Sequence, residues 1–163
     1  MSQVTVGISD LKVVKNPDSL VTYALGSCVG ICLFDSVTKI AGMSHIMLPS
    51  INDSSQDKNV MKFADSAAVE LVKQMERLGA SRTRLVAKIA GGAQMFKIAD
   101  ANPTSNFGSI GRRNVEAVKK ILATLNIRIV AEDTGADYGR TIYFHSTDGS
   151  LIVKSLTKGQ ITL

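Results

Sequence analysis

Tryptophan is absent from this 163-residue chain, proline occurs three times, and cysteine and histidine occur twice each. Two cysteines are too few for a disulfide framework, and the chain supplies no second pair for a four-ligand structural zinc site. No metal and no cofactor are expected. No apolar run approaches the ~20 residues that a bilayer-crossing helix needs. The start, Met1-Ser2-Gln3-Val4, lacks a charged stretch followed by an apolar one, so no secretory leader is read there. The expectation is a cytoplasmic protein with no membrane insertion and with free thiols. Lys and Arg number 19 against 14 Asp and Glu, a net charge of +5. The basic residues are scattered, and only Arg112-Arg113 and Lys119-Lys120 cluster. With no tryptophan and no aromatics interleaved among them, they read as a solvated helix face rather than a nucleic-acid surface.

What is present is ordinary globular composition, 45% hydrophobic and 20% charged. The length suits one domain over residues 1–163, burying roughly 68–70% of its unfolded surface. Residues 4–8 alternate as a strand, and 11–14 extend the same region. Asn16-Pro17-Asp18 is turn chemistry. Residues 29–34 and 39–47 are two further strands, joined as a hairpin through Asp35-Ser36-Val37-Thr38. Residues 60–78 carry one apolar stripe of a helix, with Gly79 where a terminating glycine belongs. Strands are read at 84–89 and 127–132, a second helix at 112–125, and a closing hairpin at 141–146 and 151–156, turned at Asp148-Gly149. Residues 96–110 form a long irregular segment. About eight strands and two main helices make an α+β chain, a single layered domain with β-sheets flanked by two helices.

Chemistry concentrates in one stretch, Thr22-Tyr23-Ala24-Leu25-Gly26-Ser27-Cys28, and in the strand that ends at His45. A hairpin centred near residues 36–37 sets positions 28 and 45 almost opposite each other. A thiol becomes a strong nucleophile when a base takes its proton and a third group holds the base. Cys28, His45 and Thr22 are candidates for those parts, with Thr22 accepting a hydrogen bond from the imidazole and so fixing its tautomer. Gly26 permits a tight turn, and amides near Ser27 and Cys28 are candidate donors to an oxyanion. From spacing alone, core packing of a cysteine, a histidine and a β-branched threonine is the commoner arrangement at such positions. Cys32 reads as a small buried hydrophobe. His145 reads as a strand residue tipped towards solvent. Gly91-Gly92 lacks the Gly-Lys-Ser/Thr of a phosphate loop and reads as a bend with close packing.

Five ordered stretches are more specific: Leu25-Gly26-Ser27-Cys28-Val29, Ser44-His45-Ile46-Met47-Leu48-Pro49, Lys88-Ile89-Ala90-Gly91-Gly92-Ala93-Gln94-Met95-Phe96, Ile110-Gly111-Arg112-Arg113-Asn114, and Gly135-Ala136-Asp137-Tyr138-Gly139-Arg140 with Phe144. Together, over nearly the whole chain, they resemble the CheD family of chemoreceptor glutamine deamidases. The resemblance implies a Cys-His-Thr site at Cys28, His45 and Thr22, and a fold similar to the cytotoxic necrotizing factor-type deamidases. It implies conversion of receptor glutamines to glutamate through a cysteine thioester, with release of ammonia. It also implies a second partner, the CheC-type phosphatase of CheY-phosphate, and Phe107 in the irregular segment is the candidate for a binding surface.

Two other classes remain at this level. One is a non-catalytic regulator that binds and stimulates the CheC-type phosphatase. The other is a thiol sensor built on Cys28 and Cys32. Strand positions four apart lie roughly 13 Å apart along the strand, beyond the ~7 Å that a disulfide spans between Cα atoms, so the sensor ranks last.

Overall fold

The computed structural model describes residues 1–53, 56–95 and 110–163. Among the described residues, ten strands and two α-helices follow in the order β1 (Gln3–Thr5), β2 (Asp10–Lys15), β3 (Ser19–Leu25), β4 (Val29–Asp35), β5 (Ile40–Ile46), α1 (Ala64–Arg77), β6 (Val86–Gly91), α2 (Ile110–Thr124), β7 (Arg128–Thr134), β8 (Arg140–His145), β9 (Leu151–Ser155) and β10 (Gly159–Thr162). One sheet has the order β1-β3-β8-β9-β10, the other β2-β5-β4-β6-β7. The β1–β3 and β6–β7 pairs are parallel and the remaining pairs antiparallel.

Two cores make this a three-layer stack. Val29, Ile31, Leu33 and Ile46 pack with Leu71, Met75, Val118 and Leu122 of the helices. Cys32, Phe34, Ala41 and Met43 face the other way and pack with Leu20, Leu25, Ile142, Phe144 and Val153 of the first sheet. β4 and β5 are therefore covered on both faces, and every residue in them is buried. That explains why β4 reads as an unbroken apolar run rather than as an alternation. Helix α1 comes close because it presents Ala64, Ala67 and Ala68. It rides over Gly42 of β5, where an added Cβ would lie 2.8 Å from both Leu71 and Met75.

The sequence-derived elements hold in outline, with five differences. β3 (Ser19–Leu25), the strand that carries Thr22, adds to the strands read from the sequence. The region 4–14 is two strands in different sheets, because Ile8 is exposed and a turn at residues 8–9 redirects the chain. Helix α1 begins at Ala64 rather than at 60. The Lys62 carbonyl accepts the amides of Met47 and Leu48, and Leu48 accepts from Ala64, which holds Phe63 extended. Residues 82–84 form a 3-10 turn and β6 runs on to Gly91. β10 was not expected, since all four of its residues are exposed and carry no burial pattern. Phe107 and residues 96–109 lie outside the described residues.

Candidate active site

Thr22 and His45 meet in the layer between the two sheets. On β3, Leu20 and Thr22 share the inward parity. The ladder to β8 then shifts register between Thr22 and Leu25, with Ala24 at φ 58°. On β5, residues 41, 43 and 45 face the same layer. His45 and Thr22 are both buried, and the His45 Nδ1 to Thr22 Oγ1 distance is 2.7 Å.

The direction of this hydrogen bond follows from the third partner. Thr22 Oγ1 also lies 2.7 Å from the Val6 carbonyl, which only accepts, so the hydroxyl proton is donated there. The bond to the imidazole must then run from Nδ1–H to the Thr22 oxygen. This places the ring proton on Nδ1 and leaves the Nε2 lone pair free. Among the described residues Nε2 has no hydrogen-bond partner, although it is buried. Burial lowers the His45 pKa to about 4, so the imidazole is neutral at pH 7 and can act as a base.

Cys28 sits in the turn just before β4. The β4–β5 ladder pairs Val29 with Ile46 and Gly30 with His45. Cys28 is thus a diagonal neighbour of His45 on the same face, close to the almost opposed arrangement expected from the hairpin length. Diagonal neighbours in an antiparallel pair lie roughly 7–8 Å apart, within reach of long side chains. The thiol is half-buried and packs at the rim of the inter-sheet core. Burial pushes its pKa up, partly offset by a hydrogen bond from its own backbone amide. The resting pair is therefore a neutral thiol beside a neutral imidazole. Cys32 lies fully buried in the same core, its thiol pushed up by burial and only partly relieved by the charge of Lys88.

The turn carrying Cys28 is held on every carbonyl. Gly26 accepts from the Ala93 amide at 2.8 Å, Ser27 from the Asn114 side chain at 2.9 Å, and Cys28 from the Gly92 amide at 2.8 Å. Gly91 must be glycine: its φ is 113° and an added Cβ would lie 2.3 Å from the Cys28 oxygen. The bend with close packing read at Gly91-Gly92 is what the structure contains.

Two residues of this environment had no role in the sequence reading. Val6 acts through its carbonyl, which no side-chain pattern reveals. Asn114 interrupts the buried stripe Gly111, Asn114, Val118, Leu122 of α2. A polar residue at that spacing is the signal that marks it.

The molecule is thus an α+β protein with helices on one face of two stacked sheets, and a threonine-held histidine diagonal to a half-buried cysteine between them. A family model described as CheD chemotactic sensory transduction matches residues 47–155. The chain belongs to the CheD family. A relative from Caldanaerobacter subterraneus subsp. tengcongensis is 51% identical over 94% of this chain and 93% of its own length. One from Lachnoclostridium phytofermentans is 48% identical over 96% of each. One from Clostridium botulinum strain Hall is 46% identical over 98% of this chain and 96% of its own. Each is named probable chemoreceptor glutamine deamidase CheD. A crystal structure of a Neisseria meningitidis protein of the DUF152 family has the same fold, with a TM-score of 0.51 at 8% identity. The match covers 83% of this chain and spans 64% of that protein's length.

Proposed function

We propose that this chain is a chemoreceptor glutamine deamidase that works through Cys28, His45 and Thr22. The observation that carries the reading is the oriented imidazole: its Nδ1–H is donated to Thr22, Thr22 donates to Val6, and Nε2 is left free on the face of β5 that Cys28 shares. A buried histidine that served packing alone would pair both ring nitrogens, because an unpaired buried polar atom costs stability, whereas Nε2 has no partner among the described residues.

In the proposed reaction a small rotation of the Cys28 side chain brings its thiol to Nε2. The imidazole takes the thiol proton as sulfur attacks the side-chain carbonyl of a receptor glutamine. Amides of the turn at Gly26, Ser27 and Cys28 receive the negative charge on the carbonyl oxygen. The imidazolium returns the proton to the leaving nitrogen and ammonia departs, leaving a thioester. Water, deprotonated by Nε2, adds to the thioester, and glutamate leaves as the thiol is restored. Thr22 holds the ring in place at each step and steadies the imidazolium while it exists.

The same reading places the protein in the cytoplasm beside receptor signalling domains and gives it a CheC-type phosphatase as second partner. The net charge of +5 suits an acidic receptor surface. The test is mass spectrometry of a receptor cytoplasmic fragment after incubation with wild type, Cys28→Ala and His45→Ala. The mass gain of amide-to-acid conversion at particular glutamines, absent with both variants, is expected. Its absence with wild type would overturn the catalytic reading and leave a binding role.

A further inference from the structure

The β4–β5 ladder ends at Val29 and Ile46, one residue short of Cys28 and one residue past His45. Beyond that point no backbone rung sets the spacing between the cysteine turn and the strand that carries the histidine. The next rung is supplied by a side chain from elsewhere. Asn114 of α2 donates from Nδ2 to the Ser27 carbonyl and to the Met47 carbonyl, each at 2.9 Å. Ser27 precedes Cys28, and Met47 follows His45 by two.

The orientation of this amide is set by chemistry. Both partners are carbonyl oxygens, which cannot donate, so the nitrogen must face them. The arrangement also carries a cost. Asn114 is fully buried and its Oδ1 has no partner among the described residues. A buried unpaired amide oxygen destabilises, and an apolar residue on this stripe would avoid it. What the asparagine contributes in return is a single planar NH2 joining two chain segments that each pair elsewhere but share no backbone rung at this level.

The helix is brought to this spot by backbone contact. An added Cβ on Gly111 would lie 2.4 Å from the Ala93 oxygen and 2.5 Å from the Gly92 oxygen. Gly92 and Ala93 in turn donate to Cys28 and Gly26. Asn114 therefore reaches Ser27 and Met47 from a base already fastened to the same turn.

We propose that Asn114 is a positioning residue that sets the separation of Cys28 from His45, a role that rests on the deamidase reading above. Its hydrogen bonds go to neither the thiol nor the imidazole but to the backbone on either side of them. Small misplacements of reacting groups are costly, on the order of 100-fold for about 1 Å.

The test uses the full chain as Asn114→Ala and as Asn114→Leu, the second keeping the stripe filled. Three quantities are read: kcat and KM on a receptor fragment, the pH profile of Cys28 alkylation by iodoacetamide, and thermal melting. The expected result is a kcat about 10- to 100-fold lower with KM within about threefold of wild type. The Cys28 alkylation profile is expected to lose rate across the neutral range, because the imidazole no longer takes the thiol proton as sulfur attacks, in a variant that still melts cooperatively. A folded variant with wild-type kcat and an unmoved alkylation profile would overturn the proposal. So would failure of both variants to fold, which would make Asn114 a purely structural residue. Cys28→Ala run alongside separates the two ideas. If it retains activity, the catalytic reading fails; if it is inactive while the Asn114 variants are not, only the positioning role fails. The alkylation profile needs no substrate and reports on the pair in either case.

Discussion

Replacing Thr22 by valine removes one hydroxyl and leaves the side-chain shape almost unchanged. That hydroxyl makes two buried contacts of 2.7 Å, one donated to Val6 and one accepted from His45. Thr22→Val therefore strands a carbonyl and an N–H. Leaving a buried polar group unsatisfied costs about 1–3 kcal/mol, so the pair costs about 2–6 kcal/mol of stability. For a domain of this size, roughly 2–4 °C per kcal/mol converts this to a Tm lower by about 4–24 °C. The kinetic effect is separate. The imidazolium formed during attack loses its acceptor, and hydrogen bonds to charged groups contribute about 1.5–3 kcal/mol. At 1.36 kcal/mol per tenfold this is roughly a 10- to 150-fold fall in kcat. The assay is glutamine deamidation of a receptor fragment well below the variant's Tm, with Thr22→Ser in parallel. Serine keeps the hydroxyl and is expected to recover most of kcat while losing a methyl group of packing. A folded Thr22→Val with kcat within about threefold of wild type would refute the relay. So would a serine variant as impaired as the valine one.

The pH profile of kcat/KM should keep its plateau well below the 6.5 of an ordinary histidine, with an acid limb near 4, because falling pH must protonate His45 to remove the base; a limb near 6.5 would show that the ring is not buried in the working enzyme. Stability should decline in two windows, followed by urea midpoints against pH. Between about 6.5 and 4 the unfolded chain takes a proton on His45 that the folded chain refuses. Below about 3.9 the unfolded Asp35 takes one that the native carboxylate resists. Burial pushes that carboxyl up, but the Arg84 guanidinium, at 2.8 and 2.9 Å, and the amides of Ser81, Val37 and Thr38 outweigh it and hold it well below the usual range. Asp35→Asn should flatten the second window. Gly91→Ala should destabilise by on the order of 1–3 kcal/mol or more and abolish deamidation, since its Cβ would meet the Cys28 carbonyl. Gly7→Ala, with nothing within 4 Å, is the control that should leave the Tm close to wild type.

Elements with a strong local period are legible in the amino-acid sequence. The stripe of α1 encodes burial at a spacing of three to four and the runs of β4 and β5 encode it at every residue, and both patterns are local. The hairpin length already puts Cys28 and His45 on neighbouring strands, within one step of their actual register. β10 is invisible there because an exposed edge strand has no burial to write into its pattern, and its pairing to β9 is backbone alone.

Thr22 is an ordinary strand residue by spacing, and resemblance to the CheD family is what singles it out. Its contact with His45 joins two different sheets, and no periodicity along either strand reports how sheets stack. The Val6 carbonyl and the Asn114 amide are more hidden still. One is a backbone atom, and the other lies 87 residues along the chain from the carbonyl it holds. Sequence thus carries the candidate reactive residues and the elements that bear them, since side-chain chemistry and local burial are written residue by residue. The protonation state of the imidazole, the freedom of Nε2 and the bracing of the cysteine turn come from contacts between distant segments, which exist only once the layers close.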